Sequence, residues 1–315
     1  MKKPRSKPAA KPAAKPTVKP TSKPAVNPAI KPATTTRVKP VTLAEKLTLY
    51  LGCVQNPESE VRLLTKIHQA VDADYPTLLR EDFAGTCAVA CEWVNSDPDR
   101  QAMAVDKHEP TLKWAWARAE KVLADRADDL HLACSDVLET QGPKVDVISG
   151  SNFCIYEIHE RPQLIRYLKK CKARLRDRGV AAFDGYTGPG ALTTGEQSRE
   201  LTTPIPLSGR ADAVRYVWEQ RAVDLATHRV ENHIHVELAD GTRLKSLFVY
   251  HWRLWSAAEL IDAMTEAGFD QPAVWSDTEN SQGQYEEVKS LPTRKDGVIY
   301  VLGRRLGKKS TSKPG

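Results

Sequence analysis

Five times between Leu78 and Tyr186 a short apolar run ends at or near a small or acidic residue, and segments of helical periodicity follow the first, second and fourth. The runs are 78–82, 101–106, 131–134, 145–148 and 180–186. Runs this short suit strands, and their near-continuous apolar character suits strands covered on both faces. Five βα units in succession argue for a parallel sheet with helices on each side. Ligands of such sheets bind outside the carboxyl ends of the strands. At or near those ends fall Glu81, Asp106, Asp136, Asn152 and Asp184.

The first junction, Leu78-Leu-Arg-Glu-Asp-Phe-Ala-Gly-Thr-Cys87, reads as a buried strand, a tight turn at Gly85 and the start of a helix through Ala88, Val89, Trp93 and Val94. Backbone N–H groups converge at such a junction and favour a nucleotide-like ligand. Asp106 closes the second run 21 residues after Gly85. An acid there suits a ribose, whose two hydroxyls need an acceptor.

These residues resemble the class I S-adenosylmethionine-dependent methyltransferases, in particular members whose first motif reads Arg-Glu-Asp-Phe-Cys-Gly-Thr. On the usual acid-x-Gly-x-Gly-x-Gly pattern, Glu81 takes the acid position, Gly85 the middle glycine, and Phe83 and Cys87 replace the outer two. The resemblance covers roughly residues 42–305 and implies an enzyme with S-adenosyl-L-methionine as cofactor. Its fold would be a Rossmann-like seven-stranded α/β sheet with helices on both faces. It implies cofactor contacts from Arg80, Glu81, Gly85, Asp106, Asp136, Val137 and Asn152, with Tyr50 and Gln55 lying over the site. Asp136 would accept from the adenine amino group, and Arg80 would clamp the carboxylate; the alternative for Arg80 is a pairing with Glu92 or another acid. Methyl transfer is an in-line displacement that positioning and water exclusion accelerate. A base helps when the acceptor is an alcohol, phenol or acid-form heteroatom. Tyr186 and His251 are the catalytic candidates, beside His159 and Asp184. A nicotinamide-binding oxidoreductase would need Gly-x-Gly-x-x-Gly, and the turn holds Gly85 alone.

Punctuation along the chain is explicit. Thr42-Leu-Ala-Glu45 and Ser256-Ala-Ala-Glu259 are capping boxes, and Asn56-Pro57 is an N-cap followed by proline. Pro110 and Pro162 open two further helices, the second ending at Gly179. Alternating residues over about 211–255, with a turn at Asp240-Gly241, predict an antiparallel β-meander inserted after strand five as a substrate lid. Trp252 and Trp255 are candidates for an acceptor pocket or for its core. His233, His235 and His251 are candidate metal ligands, though alternation on a solvated strand explains them, and no metal is expected. Runs at 273–275 and 298–302 close the sheet.

Charge divides the chain. Residues 1–40 hold eleven Lys or Arg and no acid, so a net charge of +6 leaves −5 on the rest. Lys-Pro recurs every fourth residue there, and proline at that spacing forbids helix and sheet. Residues 1–41 are therefore expected to be a disordered basic tail, echoed by 306–315. Such a tail serves either as a tether or as a non-specific contact to nucleic acid or another polyanion. An acidic body favours a small-molecule acceptor; the rival function is a polyanion-binding protein built on a degenerate methyltransferase scaffold. Six cysteines without a Cys-x-x-Cys pair read as reduced and buried, and no apolar run reaches membrane-spanning length, which together suggest the cytoplasm.

Overall fold

The computed structural model describes residues 40–277, 284–291 and 296–307. The basic tail expected over 1–41 lies outside the described residues apart from its last two, as does 308–315. Helix α1, Leu43–Val54, starts at the expected capping box, with the Glu45 N–H donating to Thr42 Oγ1 and the Thr42 N–H donating back to Glu45. Helix α2, Pro57–Gln69, starts at Asn56, whose side chain accepts from the Ser59 N–H. Then follow β1 (Leu78–Asp82), α3 (Ala88–Asn95), β2 (Gln101–Asp106), α4 (Glu109–Leu123), β3 (Leu130–Cys134), β4 (Val145–Gly150), α5 (Arg161–Arg174) and β5 (Leu175–Thr187). These five strands pair in parallel in the order β3-β2-β1-β4-β5. The order reverses between β1 and β4, which opens a crevice at their carboxyl ends.

After β5 the chain forms β6 (Gly195–Ile205), β7 (Ala213–Asp224), β8 (Arg229–Leu238) and β9 (Arg243–Arg253), a separate antiparallel sheet in sequential order. Helix α6 (Ala257–Glu266), β10 (Asp270–Asp277), β11 (Tyr285–Val288) and β12 (Gly297–Arg304) complete the main sheet. Strand β12 inserts antiparallel between β5 and β10. The seven expected strands are present, and β11 adds an eighth at the edge beyond β10.

Three expectations are corrected. The second sheet starts at Gly195 rather than near 211, because β6 is an edge strand whose residues are mostly exposed and carry no apolar alternation. Helix α5 stops at Arg174, not Gly179, which lies inside β5. A Cβ at Gly179 would sit 3.0 Å from the carbonyls of Arg176 and Asp146, so close backbone approach explains this glycine. Five of the six cysteines are buried as expected, but Cys134 is exposed. One apolar core, around Ile148, Tyr167 and Phe183, covers one face of the main sheet; a second, around Trp93, Ala104 and Val147, covers the other. A third packs α1 against the second sheet through Leu49, Val236 and Leu244. No described helix is long and apolar enough to cross a membrane.

Candidate active site

The site begins where β1 ends. Phe83, Gly85 and Cys87 have φ of +55°, +50° and +53°. These are the three positions of the generic glycine pattern, so the left-handed backbone is kept where two glycines are missing. Each non-glycine costs about 1–2 kcal/mol there, and such strain gathers at ligand sites. A Cβ added at Gly85 would meet nothing within 4 Å, so open space stands over the turn. Half-buried Asp106 reaches it from β2: Oδ2 accepts from the Gly85 N–H and Oδ1 from the His108 N–H, both at 2.8 Å. Each oxygen keeps a second lone pair able to accept from a ligand donor.

Glu81 turns the other way. The residue before α3, Cys87, offers no side-chain cap. Buried Glu81 takes that part, accepting from the Ala90 N–H at 2.8 Å and from Val89. Burial first, then the nearby Glu60 and Asp106 carboxylates, push its pKa up to about 8 despite these N–H groups. Arg80 alternates to the opposite face, fully buried. Its Nε donates to Asp82 Oδ1 at 2.7 Å, and Tyr167 Oη donates to Asp82 Oδ2 at 3.0 Å. The guanidinium is engaged with Asp82 rather than with Glu92, and lies outside the cavity described below. Beyond β3, exposed Asp136 accepts from the Leu138 N–H at 2.7 Å, and the carbonyl of buried Val137 accepts from Arg174.

At the end of β4, Asn152 and Phe153 form a left-handed pair with φ of +60° and +64°. Asp184 of β5 fastens both, accepting the Asn152 N–H at 2.9 Å and the Phe153 N–H at 2.8 Å. Burial holds the Asp184 carboxyl well above the usual range, and Glu60 adds to it. Gln55, between α1 and α2, ties the two strand ends together: it donates to Asn152 Oδ1 at 3.0 Å and accepts from the Thr86 hydroxyl. Tyr50 packs on Phe248 of β9, ring centroids 5.0 Å apart.

A cavity of about 1230 Å³ opens here between the strand ends, α2 and the inner face of the second sheet. Gln55, Asn152, Asp184 and Tyr186 line it. So does Glu60, which the sequence reading missed because an acid in the first turn of a helix is ordinary. Tyr186 Oη donates to Gln220 at 3.0 Å. His251 is exposed on the outer face of β9 and lies outside the cavity lining, its carbonyl meeting the His159 ring. Trp252 and Trp255 are buried core residues bonded to Glu157 and the Ile158 carbonyl. His233 and His235 share the outer face of β8, as expected, but His251 is not part of the group that converges there, which is Glu196, Glu219 and His235. His235 Nδ1 accepts from the Ser246 N–H, so Nε2 carries the proton and donates to Glu219. Both acids also pair with arginines, Arg221 and Arg243, which makes the group an ionic lattice.

The described sheet, its reversal between β1 and β4 and the strained turns define the class I methyltransferase fold. Solved structures of that fold superpose over most of this chain. A S-adenosylmethionine-dependent methyltransferase from Clostridium acetobutylicum ATCC 824 aligns with a TM-score of 0.58 and 16% identity, over 82% of this chain and 97% of that one. The sugar N-methyltransferase KedS8 from Streptoalloteichus sp ATCC 53650 gives 0.57 and 20%, over 88% and 100%. CalS10, an amino pentose methyltransferase from Micromonospora echinaspora solved with S-adenosylmethionine bound, gives 0.56 and 14%, over 85% and 99%. No family model and no curated protein matches the sequence.

Proposed function

We propose that residues 42–305 form a S-adenosylmethionine-dependent methyltransferase domain acting on a small-molecule acceptor. The observation that carries this is the open, left-handed turn at Phe83–Cys87 with Asp106 planted beside Gly85. The residues suit the cofactor: Asp106 would accept from the ribose hydroxyls, Gly85 would leave room for its approach, and Asp136 and Val137 would flank the adenine. Gln55, Thr86 and Asn152 border the methionine end. When bound, S-adenosylmethionine supplies a methyl group on a positively charged sulfur. Asn152 and Phe153, fixed by Asp184, set the wall against which donor and acceptor line up, while the lid sheet keeps water out. Tyr186 faces the acceptor end, and Arg80 acts from the far side of β1 by holding Asp82. The three structural neighbours described above are methyltransferases, one a sugar N-methyltransferase and one an amino pentose methyltransferase, which supports a small acceptor.

Titration calorimetry of S-adenosylmethionine and S-adenosylhomocysteine into the full chain tests this reading. Micromolar binding, weakened at least tenfold by Asp106→Ala, about 1.4 kcal/mol, is the expected result. A folded protein that binds neither ligand would overturn it.

A further inference from the structure

Three carboxyl groups meet at or just behind the cavity wall, and none has a cationic partner among the described residues. Glu60 lines it from α2, and all of its hydrogen-bond partners are neutral: Ser151 Oγ donates to Oε1 at 2.9 Å and Tyr300 Oη to Oε2 at 2.6 Å. Asp184 stands near, fed only by backbone N–H groups. Glu81, behind them, is likewise bonded to backbone N–H groups. Each of the three raises the pKa of another or is raised by it. Among the described residues no lysine, arginine or histidine forms an ion pair with any of them. The cations of the same wall bond groups other than these three acids. Lys66 donates to the Tyr285 carbonyl at 2.8 Å, Arg62 pairs with Glu58 in solvent, and Arg199 donates to the Cys53 carbonyl.

Sequestered carboxylates ordinarily have a cationic partner. Aromatic faces surround these: Phe153, Tyr186, Trp218 and Tyr300 line the same cavity, and such faces attract ammonium groups. We infer that the acceptor is an amine, held as its ammonium between Glu60 and the aromatic wall. This inference rests on the methyltransferase reading above. The ammonium first yields one proton to the Glu60 carboxylate. The freed nitrogen lone pair then forms the N–C bond to the methyl group as the C–S bond breaks and sulfur keeps the bonding pair. The product leaves as a methylammonium, and Glu60 returns its proton to solvent through the cavity mouth.

Three probes of one shape separate charge from size: 2-phenylethylamine, 2-phenylethanol and 3-phenylpropionate, titrated into the full chain saturated with S-adenosylhomocysteine at pH 7.5. The cation is expected to bind at least tenfold more tightly than the alcohol, and the anion most weakly. Glu60→Gln, which keeps an oxygen and a donor for Ser151 and Tyr300, should abolish the preference for the cation. Glu58→Gln, an exposed acid on the same helix, should leave it intact. Far-ultraviolet circular dichroism confirms that each variant is folded; should Glu60→Gln fail to fold, the wild-type ranking of the three probes decides. If S-adenosylhomocysteine binds but the alcohol or the acid matches the amine, or none of the three binds, the amine inference is overturned alone. If S-adenosylhomocysteine itself does not bind, the methyltransferase reading falls and takes this inference with it.

Discussion

Glu81→Gln isolates the energetics of the strand-end acid. The carboxyl is 3% exposed and caps α3 from outside the helix, with a pKa pushed from 4.5 up to about 8. The folded state therefore binds a proton that the unfolded chain releases above pH 4.5. Stability from this group is complete below pH 4.5 and is lost as pH rises through about 8. The slope is about 1.4 kcal/mol per pH unit, so the whole window is worth at most about 5 kcal/mol. Glutamine does not titrate, and its oxygen still accepts one of the two helix N–H groups. Glu60 and Asp184 titrate in both proteins, so much of their effect cancels in the difference. Urea unfolding at pH 5.5, 6.5 and 7.5 should show the variant gaining on wild type by about 2–3 kcal/mol across those two units. A difference that stays constant within about 0.5 kcal/mol would refute the account of Glu81 as a carboxyl kept protonated by its burial.

Other outcomes follow from the same structure. Arg80→Met strands the buried Asp82 and should cost about 3–5 kcal/mol in urea unfolding, and adding Asp82→Asn should recover most of that loss. Gly85→Val should cost about 1 kcal/mol of stability, for its φ of +50° alone, yet abolish S-adenosylmethionine binding in calorimetry, because the space a side chain would fill is open in the protein. Asp184→Ala releases the Asn152 and Phe153 N–H groups; methyl transfer should fall at least a hundredfold while S-adenosylhomocysteine affinity changes less than fivefold, read by single-turnover kinetics and calorimetry. His251→Ala, on the outer face of β9, should leave both affinity and turnover within twofold of wild type.

Much of the fold was legible because it rests on local signals. Both capping boxes, the Asn56-Pro57 start and the five apolar strands stand where the residues place them. Strand β6 was not legible, since an edge strand with two solvated faces needs no apolar alternation. The segregation of Arg80 from Glu81 was available in principle. With a period of two, Arg80 and Asp82 share a face and Glu81 takes the other, so the ion pair across two residues was a signal left unread. The same alternation separates Trp252, buried, from His251, exposed.

Sequence alone determined which residues sit at the strand ends, because apolar periodicity and turn chemistry act over a few neighbours. Tertiary structure decided which way those residues face and what they meet. Glu81 closes a helix, Asp184 fastens a loop 31 and 32 residues away, and Gln55 bridges to Asn152 across 97 residues. Glu60 becomes a cavity acid only because β12 brings Tyr300 to it from 240 residues along the chain. Contacts of that range depend on how the helices and the second sheet pack over the crevice, and no local pattern encodes them.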